Sequence, residues 1–328
     1  MSASARYIDA LRTLPPSGGG GCHAALLSVA NIGALSGVPA DAVAADLRAT
    51  VRGTRPVSDR EIADAIRKAY DGAPAVARQW TPRTRTPQPA FDAGRMLRGI
   101  LARGGGAGEV DLWEASPIRL DWQPERDAAE VLRRLYRPDD FLFIGSRHDG
   151  GRESVRTAGD WLARFAAGES IPEHIIPNPM TGGAGATKDN KPSFRADSCV
   201  APFRFAVLEF DAVPPPLREP GTQAADWPRE AQVQFWAGAL AYRWPIALLL
   251  DSGGKSIHCW LAVDCADADA WTREVEGELF ARFLVPCGVD STCRNESRLS
   301  RMPGHFRGGK NRWQKILYMD PHAGKGAK

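Results

Sequence analysis

Apolar residues recur at helical spacing through the first 75 residues of the chain. Ala24 to Ile32 is an apolar run, and Asp41 to Val51 mixes apolar and polar positions as an amphipathic helix does. Ser58 and Glu61 have the spacing of a capping box, which opens a further helix. We therefore predict a small helical domain over residues 1–75.

The composition changes at residues 76–108. This segment holds prolines among threonines and arginines, a short predicted helix at Met96 to Ala102, and the glycine run Gly104 to Gly106, which together are typical of a linker. Asp111 to Trp122 then alternates enough to predict one or two strands. We assign a second, larger domain to residues 109–328.

Strands and helices alternate through the larger domain. An amphipathic helix at Glu125 to Tyr136 and a short buried strand at Asp140 to Gly145 are predicted first. From residue 205 the order becomes strand, helix, strand, strand, helix, strand, which is the split-βαβ order of RRM-like domains. We predict an α+β fold in which the central strands of this sheet carry the polar groups. The six elements are Phe205–Asp211, Arg229–Tyr242, Ile246–Leu250, Ser256–Val263, Asp269–Phe283 and Lys315–Tyr318.

Length and composition set broad limits. The chain of 328 residues suits two domains, or one large domain with an appendage, and its 43% hydrophobic residues allow a substantial core. No apolar run approaches the ~20 residues of a membrane span, and the first residues lack the pattern of a secretory signal. We expect a cytoplasmic protein with no membrane partner. The six cysteines form no Cys-x-x-Cys pair, so free buried thiols are expected rather than a zinc ribbon.

Local charge says more about partners than net charge, which is only +3. Between Arg294 and Lys315 the chain carries seven basic residues and a single acid, Glu296, together with glycines and Trp313. Such a segment favours contact with phosphate groups. We interpret its later part as a nucleic-acid-binding surface formed by Arg307, Lys310 and Arg312.

Glu209 and Asp211 are the first candidates for chemistry. They stand one residue apart at the end of an apolar strand, so both side chains project to the same face. A two-metal nucleotidyl-transfer site needs carboxylates that hold ions ~3.5–4 Å apart, and oxygen ligands suit Mg²⁺ or Mn²⁺. Asp290 is the candidate for the third carboxylate. We therefore predict that these three acids are the catalytic and metal-binding residues.

The stretch from Ser252 to Trp260 supplies candidate phosphate donors. Ser256, His258 and Lys255 come from one strand and its turn. Arginines suit the same task, because a guanidinium can bind phosphate oxygens in a bidentate manner. The predicted nucleotide-binding residues are Lys255, Ser256, His258, Arg294, Arg298 and Arg301.

The order acid-x-acid, Ser-x-His, then a third acid followed by arginines resembles the archaeo-eukaryotic primase superfamily. The resemblance covers about the second half of the chain, and the stretch Ser252 to Trp260 is similar to the corresponding motif of the eukaryotic primase small subunit. Two positions depart from the family pattern: Glu209 stands where many members have Asp, and Gly254 where a basic residue is common.

The resemblance implies an RRM-like catalytic core packed against an N-terminal αβ lobe, here preceded by the small helical domain. It implies a DNA-templated primase or polymerase of a phage, plasmid or other mobile element, which makes short primers by two-metal nucleotidyl transfer. The implied partners are a single-stranded DNA template and nucleoside triphosphates. Because the chain has no Walker A motif, it works alone, recruits a separate replicative helicase, or is part of a longer protein.

Two other functions fit part of the pattern. A replication initiator or single-stranded-DNA-binding protein could keep a primase fold with little or no turnover. A metal-dependent nuclease also uses clustered acids, although the phosphate-binding set of Ser256, His258 and Arg298 exceeds what a nuclease needs. The sequence does not distinguish ribonucleotides from deoxynucleotides as substrates.

Overall fold

The computed structural model describes residues 3–17, 22–70, 91–187, 190–219 and 221–324. The chain separates into two compact units, Met1–Gln88 and Pro89–Lys328. Residues 71–90, which hold much of the predicted linker, lie outside the described residues. In the described part, no helix is both long and apolar enough to cross a membrane.

The first unit is helical, as predicted. Its core joins apolar side chains from all four described helices, among them Leu26, Leu47 and Ile62. The predicted capping box is confirmed: the Glu61 amide donates to Ser58 Oγ, and the Ser58 amide donates to Glu61 Oε2, at 3.3 and 3.0 Å. The helices are α1 (Ala3–Arg12), α2 (Cys22–Leu35), α3 (Ala40–Thr50) and α4 (Asp59–Tyr70).

The second unit begins earlier than the sequence indicated. Helix α5 (Ala93–Arg103) buries Leu97 and Ile100 in the main core of this unit. A Cβ atom on Gly104 would lie 1.9 Å from the carbonyl oxygen of Gln234, so the glycine allows α5 to pack backbone against backbone on a later helix. Within the described residues, the part of the predicted linker from 91 to 108 is therefore an integral element of the larger unit.

The strands predicted at Asp111 to Trp122 are wrong. Residues Glu109–Glu114 form helix α6, and the remainder is irregular. The Gly108 amide donates to Asp111 Oδ2 at 2.7 Å, which caps the first turn of this helix. The alternation of apolar and polar residues over this short stretch predicted strands, because it contains no signal for the hydrogen bond that starts the helix.

Helices and turns of the larger unit mostly follow the sequence pattern. The helices predicted at 125–136 and 229–242 are confirmed. The helix predicted at 269–283 has mainly i→i+5 hydrogen bonds. The helices are α7 (Asp127–Leu135), α8 (Ala158–Ala166), α9 (Arg229–Ala241), α10 (Ala268–Ala270) and a π-helix (Trp271–Leu284). Short 3₁₀ turns lie at Pro124–Arg126, Arg152–Ser154, Asp197–Cys199, Pro215–Leu217, Ser291–Arg294 and Gly308–Lys310.

Two antiparallel four-stranded sheets organise the larger unit, so the α+β class is confirmed. The main sheet has the order β12-β7-β8-β6, and the second sheet has the order β2-β1-β3-β9. Two small hairpins, β4-β5 and β10-β11, complete the strands. The strands are β1 (Phe141–Gly145), β2 (Val155–Thr157), β3 (His174–Ile175), β4 (Gly185–Ala186), β5 (Pro192–Ser193), β6 (Phe203–Leu208), β7 (Ile246–Asp251), β8 (Ile257–Cys265), β9 (Ser300–Arg301), β10 (Phe306–Arg307), β11 (Arg312–Trp313) and β12 (Ile316–Met319).

The main sheet is buried on both faces. Ala206 and Cys259 point into a core that includes residues of α5, α9 and the π-helix, whereas Val207 and Trp260 point into a core shared with the second sheet. Successive side chains of a strand alternate between faces. Glu209 and Asp211 follow Val207 by two and four residues, and His258 precedes Trp260 by two. The side chains of these three residues are therefore directed toward the second sheet.

The strand that carries the first acidic motif lies at an edge, not in the centre as predicted. Strand β6 pairs only with β8 among the described strands, and β7 and β8 are central. Asn178 covers the open edge of β6: its side chain donates to the Phe205 carbonyl and accepts from the Arg204 and Phe205 amides at 2.7–3.0 Å. The same side chain donates to the Glu296 carbonyl at 2.8 Å, which ties this edge to the segment after Asp290.

Candidate functional site

Glu209 and Asp211 directly follow strand β6. The Glu209 carbonyl accepts a hydrogen bond from the Asp290 amide at 3.0 Å, so the backbone itself joins the first and third predicted acids. The alternation of the strand directs Glu209 toward the face that also carries His258. Three segments that are distant in the sequence thus meet at one edge of the main sheet.

Glu209 is the best-supported carboxylate of the cluster. Its Oε2 lies 3.0 Å from His258 Nε2, and its Oε1 lies 2.5 Å from Arg298 Nη2. Burial acts to raise the pKa of Glu209, but His258 and Arg298 outweigh burial and lower this pKa well below its usual value. Glu209 is therefore ionised at neutral pH.

His258 is held on both ring nitrogens. Its Nδ1 lies 3.2 Å from Ser300 Oγ and 3.5 Å from the Arg301 amide nitrogen, while Ser300 Oγ accepts a hydrogen bond from Trp260 Nε1 at 2.8 Å. Because both Ser300 and the Arg301 amide offer hydrogens to Nδ1, we assign the ring hydrogen to Nε2, from which it is donated to Glu209. Trp260 and Ser300 therefore orient His258, and His258 orients Glu209.

Asp290 sits at the start of the 3₁₀ turn Ser291–Arg294. Its Oδ1 accepts from the Thr292 amide at 2.9 Å, and its Oδ2 accepts from the Thr292 hydroxyl. Arg298 Nη2 lies 3.3 Å from Asp290 Oδ2 and so bridges Asp290 and Glu209. One guanidinium thus occupies the space between two of the predicted metal ligands.

Asp211 is more exposed than its two partners. Burial, followed by the nearby charges of Glu209 and Asp290, raises the pKa of Asp211. Lys255 does not reach its carboxylate: Lys255 Nζ donates to the Asp211 carbonyl at 3.0 Å and to Asp226 Oδ1 at 3.1 Å. The three carboxylates therefore form a region of unbalanced negative charge.

Cys293 is a member of this cluster that the sequence reasoning missed. Ligand atoms of Glu209, Asp290 and Cys293 all lie within 4.8 Å of one another. Burial and the charge of Glu209 raise the pKa of the Cys293 thiol, so the thiol is protonated at neutral pH. Its spacing of three residues from Asp290 places both on one side of a 3₁₀ turn, which is a signal available only once the turn is known.

A cleft of about 470 Å³ opens beside the acids. Its lining includes Arg301 and Arg307 as well as two residues that were not predicted, Arg147 and His174. Burial, followed by the charge of Arg301, lowers the pKa of His174 to about 4, so this imidazole is neutral at pH 7. The cleft lining therefore combines the carboxylates that follow β6 with cationic side chains, among them Arg301 of β9 and Arg307 of β10.

Several predicted residues lie elsewhere or have other partners. Ser256 lines the cleft but is buried in the β7-β8 turn, where its carbonyl accepts from Ser252 Oγ at 2.6 Å. Arg294 lines a neighbouring pocket instead of the cleft. Arg312 pairs with Asp251 at 2.9 Å, and Lys310 lines a shallow pocket that also includes Arg307. Of the predicted nucleic-acid-binding trio, Arg307 is thus the member that reaches the cleft.

The donor set of the cluster fits a divalent cation that prefers oxygen ligands. Glu209 and Asp290 offer carboxylate oxygens close to one another, and the charge of Asp211 adds to the negative potential around them. The Cys293 thiol is a soft ligand that Mg²⁺ does not favour and Mn²⁺ tolerates better. Arg298 is the cation that now balances these acids, so ion binding requires Arg298 to move or to share them.

Comparison of the chain with models of protein families, with curated proteins and with solved structures finds no match.

Proposed function

We propose that the protein is a DNA-templated primase or polymerase that makes short primers by two-metal nucleotidyl transfer. The observation that carries this proposal is the meeting of Glu209 and Asp211 with cationic side chains in one cleft, beside which Arg298 bridges Glu209 to Asp290. The acids suit divalent ions, and the guanidinium groups of the same cleft suit a triphosphate. A passive binding surface for nucleic acid does not need acids among these cations.

The reaction joins a 3′-oxygen to the α-phosphorus of an incoming nucleoside triphosphate. The bond between the α-phosphorus and the bridging oxygen to the β-phosphate breaks, pyrophosphate leaves with the bonding electron pair, and the proton of the 3′-hydroxyl passes to solvent water. Glu209, Asp211 and Asp290 would hold Mg²⁺ or Mn²⁺, which supplies activation of the attacking hydroxyl and stabilisation of the leaving oxygen when bound.

The protein's own groups divide the remaining tasks. His258, fixed by Ser300, keeps Glu209 in one orientation. Arg301 and Arg307, which line the cleft, are placed to bind phosphate oxygens of the nucleotide. His258 thus acts mainly as a positioning residue for Glu209, in addition to any contact with phosphate.

The finer description of the core as RRM-like is also a proposal. Strands β6 and β7 are parallel to each other with β8 between them, and β8 and β12 are parallel with β7 between them. Each of these pairs belongs to a split-βαβ unit, which supports this description, whereas the edge position of the first strand, β6, departs from the central first strand of RRM-like sheets. The second sheet, with helices α7 and α8, would be the adjoining αβ lobe.

Single-stranded DNA is the proposed template, and the hairpin β10-β11 is its proposed contact. Arg307 and Lys310 lie at this hairpin with the glycines Gly308 and Gly309, and the Phe306 and Trp313 rings lie 5.0 Å apart beside them. Cations bind phosphates and aromatic rings stack on bases. A separate replicative helicase remains a proposed partner.

Synthesis on a defined template tests the function. The full-length chain is incubated with single-stranded DNA, labelled ribonucleotides or deoxynucleotides, and Mn²⁺ or Mg²⁺, with and without an annealed primer. We expect metal-dependent extension that Asp211→Ala abolishes. Asp226→Asn is the matched control, because Asp226 is an exposed acid that contacts Lys255 but lies outside the carboxylate cluster.

Each alternative function gives its own result in this assay. Binding of single-stranded DNA without any nucleotide incorporation would replace the proposal with an initiator or binding protein. Shortening of the template that needs Asp211 and metal would indicate a nuclease. Equal extension by wild type and Asp211→Ala would show that the cluster is not the active site.

A further inference from the structure

A second polar pocket lies beside the cleft and has no role in the proposed function. It has a volume of about 810 Å³, against about 470 Å³ for the cleft, and shares only Arg298 and Leu299 with the cleft lining. We call it the arginine pocket, after Arg195, Arg294 and Arg298 in its lining. Pockets of this size hold nucleotide-sized ligands.

Among the three guanidinium groups of this pocket, that of Arg298 has carboxylate partners in the described part of the chain, Glu209 and Asp290. Arg195 lies over the Phe143 ring at 5.6 Å, and its Nη1 is buried with no hydrogen-bond partner among the described residues. In the same described part, neither Arg195 nor Arg294 forms an ion pair with a carboxylate. Arg298 Nε is likewise buried without a partner. Buried donors without acceptors are costly, so a ligand that supplies acceptors would be stabilised here.

The other polar groups of the pocket are held in place. Asp197 Oδ1 accepts from Ser297 Oγ at 2.5 Å and from Asn295 Nδ2 at 3.2 Å. Asp197 is the single acid among the described residues that line the pocket, against three arginines. The pocket is therefore cationic, and its acid, Asp197, already accepts hydrogen bonds from Ser297 and Asn295.

We propose that the arginine pocket binds an oligophosphate group, independently of the carboxylate cleft. Arg195 and Arg294 form no ion pair in the described part of the chain, and they lie in one pocket with a third guanidinium, that of Arg298. Such a group of cations is complementary to a chain of phosphates, because planar guanidinium donors bind phosphate oxygens in pairs. The oligophosphate can come from a nucleoside triphosphate or from a free inorganic polyphosphate. The inference does not rest on the proposed function, because binding here needs neither the carboxylates nor a metal.

Calorimetric titration of the full-length protein tests the proposal. The titrants are inorganic tripolyphosphate, adenosine triphosphate and adenosine, with a chelator present so that metal in the cleft does not contribute. We expect Arg195→Ala and Arg294→Ala each to weaken one tripolyphosphate binding event by about tenfold or more. Phosphate held by the cleft arginines should be unchanged in these variants.

Matched variants separate binding from folding. Arg164→Ala is the control, because Arg164 also lies over an aromatic ring, that of Trp161, but outside both cavities. Arg294 is exposed, so Arg294→Ala keeps the test valid even where Arg195→Ala unfolds the protein. Unchanged tripolyphosphate binding in Arg294→Ala, or an equal loss in Arg164→Ala, would overturn the proposal.

The three titrants also identify the source of the phosphate. Binding of adenosine triphosphate at least about tenfold tighter than tripolyphosphate would assign the pocket to a nucleotide. Equal affinities would assign it to free oligophosphate. Adenosine binding as tight as adenosine triphosphate would contradict a phosphate site. Failure of primer synthesis in the Asp211 experiment bears on the cleft alone and leaves this result unaffected.

Discussion

Two clusters of charged side chains lie at the same end of the main sheet, after the parallel strands β6 and β7, but differ in charge balance. Asp251 ends β7 with only 1% of its surface exposed, and it pairs with Arg229 and Arg312 at 2.9 Å. The Gly253 amide also donates to Asp251 at 2.8 Å. Glu109 extends the network, since it pairs with Arg229 and with Lys315 at 2.9 Å. Every acid in this cluster has a cation of its own.

The cluster beyond β6 is organised in the opposite way. Glu209 and Asp290 share one guanidinium, that of Arg298, and the pKa of Asp211 is raised by burial and by the charges of these two acids. A network in which each carboxylate has its own cationic side chain holds strands and loops together. Carboxylates that outnumber their cationic partners beside an open cleft can instead bind a cation from solution. The comparison teaches that charge balance, not the presence of an acid at a strand end, separates structural from candidate functional carboxylates.

The largest effect is expected from the balanced cluster. Asp251→Ala leaves Arg229 partly buried without one of its partners and leaves the Gly253 amide without an acceptor. We expect a loss of about 3–5 kcal/mol in the free energy of unfolding, measured by urea denaturation. Asp226→Ala should change it by less than about 0.5 kcal/mol, because Asp226 is exposed. A loss below about 1 kcal/mol for Asp251→Ala would contradict the structural role.

Asp211→Asn should reduce activity strongly without lowering the free energy of unfolding. Removing a carboxylate from the unbalanced cluster should lower nucleotide incorporation by on the order of 10²–10³-fold. The free energy of unfolding should stay equal or rise by less than about 1 kcal/mol, because repulsion with Glu209 and Asp290 is relieved. Steady-state extension kinetics and urea denaturation of one preparation measure both. Destabilisation as large as that of Asp251→Ala would remove the distinction between the clusters.

Asp127 is a buried acid that has no ion-pair partner in the described part of the chain, so it should make stability depend on pH. Burial raises its pKa from 3.8 to about 8, although Asp127 Oδ2 accepts from the Ile316 amide at 2.7 Å. The native state therefore binds more protons than the unfolded state between these pH values, and the free energy of unfolding falls as pH rises through this window. We expect a fall of roughly 1–3 kcal/mol that is absent in Asp127→Asn. Equal slopes for both proteins between pH 4 and pH 8 would contradict this.

Arg298→Gln removes the cation that Glu209 and Asp290 share. Without the guanidinium that bridges Glu209 and Asp290, the cluster has more negative charge and more room. We expect Mn²⁺ to bind the nucleotide-free protein about tenfold more tightly, which equals ~1.4 kcal/mol, while nucleotide incorporation falls. Arg294→Gln is the control for Mn²⁺ binding, since no ion pair joins Arg294 to Glu209 or Asp290 in the described part of the chain. Weaker Mn²⁺ binding in Arg298→Gln would show that Arg298 organises the ligands rather than competing with the ion.

The sequence alone determined the local features of this protein. Helical spacing predicted α9, the Ser58–Glu61 pair predicted the start of α4, and strand alternation placed Glu209 and Asp211 on one face. Each of these features depends on neighbours within a few residues, so the sequence contains the whole signal.

The contacts between groups that are distant in the sequence depend on the tertiary structure. In that structure β6 lies at an edge of the main sheet and α5 packs into the larger unit. Cys293 lies close to Glu209, Arg294 lines a separate pocket, and Arg312 forms an ion pair with Asp251. Asp251 and Glu209 look alike in the sequence, as acids that end apolar strands. Their difference arises from which arginines the packing of the sheets brings to each, and such long-range pairing has no period along the chain.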